Sequence, residues 1–392
     1  MIIPVILGAD LNAYSVARSF HEKYDVKSFA FAKEELGPIK FSRIITYIRI
    51  SNRFEDEQLN QFLISFADDQ SADYYLIPCT DEYVEYVARN VITLSGRYIC
   101  RTVSHNLLSA LTSKADFAMI CGKYNLPIPQ TRSLTEGEFR SSGLPQMSYP
   151  IAIKPSVSAE YWRHPFRGMK KVYYASSARE AYLIAEKIYG AQYDGELVFQ
   201  EYIPGGDDKM RVLTTFSHNG KVVSVCYGHV ILEEHTPKGL GNHVAIITEP
   251  MPDELLPAIT MLDDLKYDGF ANFDIIFDSR SNTLKFLELN ARQGRSNYYM
   301  TAAGISIAGL IVSPPGSNKR GYDYNNIYWH TVPNRVVMKY ANKNEMAEIR
   351  RARADHCEYD PLLYKYDLLS PRRAAYVIAH NLKYYDKYRK YP

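Results

Sequence analysis

The first hundred residues set short unbroken apolar runs between segments whose apolar positions recur at helical spacing. Ile2–Leu7 reads as a buried strand ending at Gly8-Ala9-Asp10, and in Asn12–Tyr24 the apolar Tyr14, Ala17, Phe20 and Tyr24 fall on one helical face. Val26–Ala32 reads as the next strand, so the chain opens as strand, helix, strand and predicts a parallel sheet. Phe62–Asp69 reads as a helix and Tyr74–Pro78 as a strand, after which Thr80 or Asp81 is placed to cap another helix. In open α/β sheets ligands settle at the carboxyl ends of strands, which makes Gly8, Asp10, Asn12, Thr80 and Asp81 candidates for a substrate pocket. Bland roles compete with this, since Gly8 also suits a tight turn and Thr80 and Asp81 a cap. A lone glycine is not a G-x-G-x-x-G fingerprint, so no dinucleotide site is indicated.

A second unit begins near Ser104. Leu107–Tyr124 reads as one helix carrying Ser113-Lys114-Ala115-Asp116, and the prolines of Asn125–Pro129 break it into extended chain. Tyr149–Pro155 reads as a short strand ending at Lys154, where a lysine either snorkels to the surface or binds an anion; one residue does not decide. Ser156–Lys171 is basic, aromatic and broken by Pro165 and Gly168, which suits a flap over phosphates and a solvated loop about equally. A strand at Val172–Tyr174 and a helix at Ser177–Tyr189 follow, then a strand at Leu197–Ile203 closed by Pro204-Gly205-Gly206-Asp207-Asp208. Met210–Ser217 and Lys221–Gly228 read as a hairpin about His218-Asn219-Gly220. A glycine-rich loop within Glu233–Thr248, holding His235 and His243, leads to another strand, and Asp253–Leu265 reads as a helix.

The richest stretch is Phe270–Arg295. Two apolar runs, Phe273–Phe277 and Thr283–Leu289, flank the polar turn Asp278–Asn282 and read as adjacent antiparallel strands. Asp274 lies on the first, and Glu288 and Asn290 share one face of the second because strand side chains repeat every two residues. Two carboxylates and an amide on facing strands form a hard-oxygen set suited to Mg²⁺, which keeps much of its shell for water and phosphate. Either acid alone would read as an ordinary surface residue.

Composition narrows the class. With 392 residues, 46% hydrophobic and 23% charged, the chain has the make-up of a soluble protein of two or three domains. A net charge of +2 gives no global field for nucleic acid. The five cysteines show neither a CxxC pair nor finger spacing, and with no signal-like start they predict a reducing, cytoplasmic setting. The longest apolar stretch, near Ala302–Val312, is too short to span a bilayer. Tyrosine is abundant at 33 residues, and the basic segment Pro371–Pro392 carries five of them. That segment reads as a helix packed on the body through its tyrosines, with an anionic lipid surface or a precursor diphosphate as the rival reading.

Phe273-Asp274-Ile275-Ile276 and Phe286-Leu287-Glu288-Leu289-Asn290-Ala291-Arg292 resemble the metal end of the ATP-grasp ligases. The resemblance covers roughly Ser104 to Tyr340. It implies an α/β (α+β) architecture: a Rossmann-like pre-ATP-grasp domain (1–104), two ATP-grasp lobes with antiparallel sheets (105–194 and 195–340), and a basic helical extension (341–392). It further implies Lys114 and Lys154 on the ATP phosphates with Lys170 of the flap, and Glu201 accepting from the adenine amino group beside the backbone of Tyr202 and Ile203. Asp208 would bind ribose, and Asp274, Glu288 and Asn290 would hold two Mg²⁺ ions. Asn272 stands where a relative has a transition-state arginine, so Arg292 takes that role, with Arg211 as a further catalytic candidate. His243 and Arg295 join Asp10, Asn12, Thr80 and Asp81 as substrate candidates.

The opening Pro4–His21 resembles the D-aspartate ligases, as does Asn290–Tyr299. That implies activation of the β-carboxylate of D-aspartate as an acyl phosphate and its transfer to the lysine amine of a muramyl-peptide acceptor, with no nucleic-acid partner. Another amino-acid ligase of the same fold and a non-catalytic ATP-binding module are the alternatives. Whether the chain pairs as a homodimer, and whether its tail meets the inner face of a membrane, is left open.

Overall fold

The computed structural model describes all of residues 1–392 except Asn52, Val157, Lys238 and 317–320, and except the side chains of Lys114, Ala115, Ser158 and Ala159. Three sheets organise the chain. The first is fully parallel, in the order β3 (Ile45–Arg49), β2 (Ser28–Ala32), β1 (Ile2–Leu7), β4 (Asp73–Pro78), β5 (Tyr98–Cys100). The central β1 is apolar on both faces because helices cover both, and Asp10 caps the helix Leu11–Tyr24 by accepting from the N–H of Ala13.

The second sheet is antiparallel and runs β6 (Thr131–Leu134), β9 (Leu197–Glu201), β7 (Ile151–Pro155), β8 (Tyr173–Ala175) in space. Ile151, Ile153, Leu197 and Phe199 bury one face against the helix Ala178–Tyr189, which leaves Lys154 and Gln200 on the other face. Upstream, the expected single helix over Leu107–Tyr124 is two, His105–Thr112 and Lys114–Lys123. Ser113 between them is extended and caps the second by accepting from the N–H of Asp116, so a good capping residue inside an apolar pattern interrupts it.

The third sheet has the order β14 (Thr283–Asn290), β13 (Gly269–Asp278), β10 (Met210–His218), β11 (Lys221–Glu233), β12 (His243–Thr248), β15 (Tyr328–His330), β16 (Glu358–Tyr359). β10 and β11 form the expected hairpin; Asn219 and Gly220, at φ 53° and 71°, supply the two left-handed residues its turn needs. β11 does not stop at Gly228. It continues through register shifts to Glu233 and carries that acid to the edge of the site. One face packs on the helix Leu256–Asp264 through Leu213, Phe273 and Ile275. Val212, Cys226 and Ile246 on the other face join Ile6, Tyr14 and Phe20 of the first unit in one continuous core.

The segment near Ala302–Val312 forms two short helices, Tyr298–Ala302 and Ile307–Val312, and among the described residues no helix is long and apolar enough to cross a membrane. The C-terminal helix Pro371–Lys390 lies on the body with Tyr384 and Tyr388 buried.

Candidate active site

The register of β13 and β14 lays out a row of polar groups. Asp274 stands directly opposite Glu288 and Asn272 opposite Asn290, whereas Ile275 pairs with Phe286, so Leu287 is an extra, bulged residue. That bulge lets Lys285 and Glu288, an odd three residues apart, project to one face, and Asn290 continues the row. Arg211 pairs with Ile275 and therefore projects from the opposite face, where it donates to the carbonyls of Asp208 and Met210 at 2.8 and 2.9 Å. The register thus places Arg211, a catalytic candidate, and Asp274 on opposite faces of the sheet.

Charge around Asp274 is poorly compensated. Its carboxylate accepts from the amides of Asn272 and Asn290, both at 3.3 Å, and burial followed by the neighbouring Glu288 charge pushes its pKa well above the ordinary range. Burial and then Asp207 raise Glu233 to about 7. Between these acids sits buried His243, lowered by desolvation to about 4 and hence neutral. Its Nε2 lies 3.5 Å from Glu233 Oε1 and 4.0 Å from Asp274 Oδ1. Among the described residues neither Nε2 nor that Oε1 has a hydrogen-bond partner. A divalent cation would relieve this crowding, and two carboxylates plus the Asn290 amide oxygen suit Mg²⁺. Among the described residues no group of three or more His, Cys, Asp and Glu is arranged to hold a metal ion, so a cation here would rely on the Asn290 oxygen and on water to complete its shell.

At the other end of the row the second sheet meets the third. Glu201, at the end of β9, accepts from Lys285 Nζ at 3.2 and 3.3 Å, from the Arg280 guanidinium and from the N–H of Gln130. Burial opposes its charge, but these donors outweigh burial and pull its pKa down. Glu201 therefore fastens two sheets together through its side chain. Beside it the Tyr202 ring meets Tyr174 edge-on at 5.2 Å between centroids, and Ile203 is buried. Lys154 Nζ lies 3.3 Å from Gln200 Oε1 on the open face of the second sheet.

At two expected positions, Asp208 and Lys170, the adjacent residue makes the longer-range contact. Asp208 pairs with Lys209 at 3.1 Å, whereas Asp207 faces the acids, accepting from the Glu233 N–H at 2.9 Å and from His235 at 2.8 Å. The N–H of Lys170 is held by the Tyr173 hydroxyl and its carbonyl by that of Tyr161; it is Lys171 that crosses to the Leu240 carbonyl at 2.7 Å. Lys114 opens a helix, and its side chain lies outside the described residues.

Beyond Asn290 the row reaches the strand ends of the first sheet. Arg292 forks onto Asp81 at 2.7 and 3.0 Å and touches Asn290 Oδ1 at 3.4 Å. Both Arg292 and Arg295 act on Asp10, whose carboxyl is raised by burial against their pull. Thr80 caps the helix Asp81–Leu94, accepting from the N–H of Tyr83. Asn12 is fully buried; its amide donates to the carbonyls of Cys79 and Gln293 and accepts from Asn297, so it holds the first unit to the third sheet instead of facing a ligand.

Sequence reasoning did not single out Asp207, Glu233 or Glu234, and it placed Lys171 only as part of the basic flap. The first two are acids on either side of a long hairpin, and only the course of β11 past Gly228 reveals that they meet.

No family model matches the chain. A D-aspartate ligase of Enterococcus faecium (strain Aus0004) is 33% identical over 359 residues, covering 88% of this chain and 85% of that protein. Among solved structures, an L-amino acid ligase from Bacillus licheniformis superposes with a TM-score of 0.59 at 14% identity, covering 83% of this chain and 78% of its own. An ADP complex of N5-carboxyaminoimidazole ribonucleotide synthetase gives 0.62 at 12%, over 91% and 96% of the two chains. The biotin carboxylase domain of Hydrogenobacter thermophilus 2-oxoglutarate carboxylase, bound to MgADP, gives 0.60 at 12%, over 83% and 73%. Together with the shared ATP-grasp architecture, identity at this level across most of both chains places the protein in the D-aspartate ligase family of ATP-grasp enzymes, which join a carboxylate to an amine at the expense of ATP.

Proposed function

We propose that the enzyme activates the β-carboxylate of D-aspartate as an acyl phosphate and joins it to the lysine side-chain amine of a peptidoglycan stem-peptide precursor, releasing ADP and phosphate. The observation that carries this reading is the row from Lys285 through Glu288 and Asn290 to Arg292, which runs from the adenine end of the cleft to the strand ends holding Asp10 and Asp81. From Lys285 to Asn290 it spans four register steps of β13, roughly 13 Å, along which the sugar and phosphates of a nucleotide can lie.

On this reading the 201–203 backbone takes the adenine edge and Asp207 the ribose. Lys154, with Lys114 and Lys171, draws charge from the phosphates. Asp274, Glu288 and Asn290 hold Mg²⁺, which supplies electrophilic pull on the phosphate oxygens. Arg292 and Arg295 bind the amino acid's carboxylates and Asp10 its ammonium, so the β-carboxylate is held for attack on the terminal phosphorus. Arg292, released from Asp81, then stabilises the oxyanion when the acceptor amine attacks, because a fixed guanidinium forks onto two oxygens. No nucleophilic side chain is needed.

The test is phosphate release across D- and L-aspartate, asparagine and other amino acids, with and without a lysine-containing muramyl pentapeptide, and mass spectrometry of the acceptor. Stimulation by D-aspartate, with an acceptor heavier by one aspartyl residue, is expected. A different amino acid giving the dominant signal would overturn the substrate assignment, and phosphate release with no amino-acid dependence would overturn the reaction.

A further inference from the structure

The C-terminal helix Pro371–Lys390 joins two distant parts of the molecule. At its start the fully buried Arg373 meets the equally buried Asp367 at 3.2 Å. Asp367 in turn accepts from the Tyr14 hydroxyl at 2.9 Å, from Ser42 and from the N–H of Arg43, all in the first unit. Near its end Lys387 Nζ lies 2.7 Å from Glu234 Oε1, the Tyr384 hydroxyl 3.5 Å from Oε2, and the Tyr388 hydroxyl donates to the Glu233 carbonyl. The far side of Glu234 is taken by Arg295, whose Nη1 is 3.4 Å from Oε2.

Glu234 is thus a buried carboxylate, 6% exposed, shared by two cations. From the helix the lysine holds the nearer contact, at 2.7 Å against 3.4 Å for Arg295, and from its own loop Thr236 adds a hydrogen bond at 2.8 Å. Arg295 interacts with Tyr384 and Asp10 as well as with Glu234, and without Lys387 it would be the one cation left in contact with that carboxylate among the described residues.

We propose that Lys387 and Tyr384 are positioning residues of the amino-acid subsite: by holding Glu234 they keep Arg295 placed and charged for a substrate carboxylate. This rests on the assignment of Arg295 to that subsite made above. The helix is then part of the substrate site, and Lys387 itself touches no substrate.

Steady-state phosphate release by the full-length protein, with D-aspartate and ATP varied separately, tests it. Lys387→Gln should raise the amino-acid KM on the order of tenfold while the ATP KM stays within about twofold and kcat falls less than KM rises. Lys387→Arg should restore the amino-acid KM, and Tyr384→Phe should move the same constant by less. Arg295→Gln should raise that KM at least as much, and the Lys387→Gln/Arg295→Gln double variant should be no worse than Arg295→Gln alone. If Arg295→Gln raises KM and Lys387→Gln does not, or if the two effects multiply, the positioning role falls and the assignment of Arg295 stands. If Arg295→Gln leaves KM unchanged, the assignment fails and the positioning role with it. Should Lys387→Gln fold poorly, Tyr384→Phe carries the same comparison.

Discussion

Asp274 and Glu288 occupy directly opposed positions on β13 and β14, so their carboxylates crowd one another on a shared face. Glu288→Gln removes half of that crowding. It should lower Mg²⁺-dependent turnover by on the order of a hundredfold or more and, in chelator, raise the melting temperature, because like charges held together destabilise the folded state. Phosphate release and thermal unfolding with and without Mg²⁺ report the two effects; undiminished turnover would remove Glu288 from the metal set.

Lys154 lies on the open face of the second sheet with Gln200 as its neighbour. Lys154→Ala should weaken ATP binding and turnover together, each by roughly tenfold or more, since one charge serves both ground state and transferring phosphate. Nucleotide titration and phosphate release measure them separately. A loss confined to turnover would make the lysine a transition-state group only.

The Glu201 contacts predict a stability role for a residue first expected to read adenine. Glu201→Gln should cost on the order of 1 kcal/mol in denaturant unfolding, as a partly exposed ion-pair network does. It should leave the preference for ATP over GTP unchanged. Loss of that preference without loss of stability would return Glu201 to adenine recognition.

Asp367 and Arg373 form a fully buried pair. Asp367→Asn strands a buried guanidinium and should cost about 3 kcal/mol or more, whereas Asp367→Asn/Arg373→Met, which keeps an acceptor for Tyr14 and leaves no unpaired charge, should cost less than the sum of the single changes. Equilibrium unfolding of the three variants decides it; additive losses would show that the pair is not a unit.

Glu358 accepts from His330 at 3.1 Å, from Asn334 and from Arg353 at 3.0 Å, and the His330 bond leads in depressing its pKa to about 2. A carboxyl depressed on folding contributes stability that is complete above its unfolded pKa and is lost as pH falls toward the folded one. Glu358→Gln should therefore be on the order of 2 kcal/mol less stable than the parent at pH 7, with the gap closing between about pH 5 and pH 2. A gap independent of pH would mean the carboxylate charge does not contribute.

Local pattern carried much of this architecture. The opening strand, helix and strand, the Asn219-Gly220 turn and the Asp274, Glu288 and Asn290 face were legible because each depends on neighbours in sequence. What was not legible depends on distant ones. Gly228 reads as the end of a strand, yet β11 runs on because β12 pairs with it as far as Glu233, and Glu234 follows directly. Which of Asp207 and Asp208 turns inward is set by the N–H of Glu233. The Lys387 to Glu234 contact joins residues 153 apart, and no local signal announces it. That Arg211 and Asp274 lie on opposite sides of the pleat depends on how β10 pairs with β13, which no neighbour in sequence reveals.

The clasp made by Glu201 with Lys285 and Arg280 has a mechanical consequence. It pins the two facing sheets at one end, while at the flap one exposed contact from Lys171 to Leu240 reaches across. Two charged links against one surface hydrogen bond make the sheets hardest to part beside Glu201 and easiest to part beside the flap.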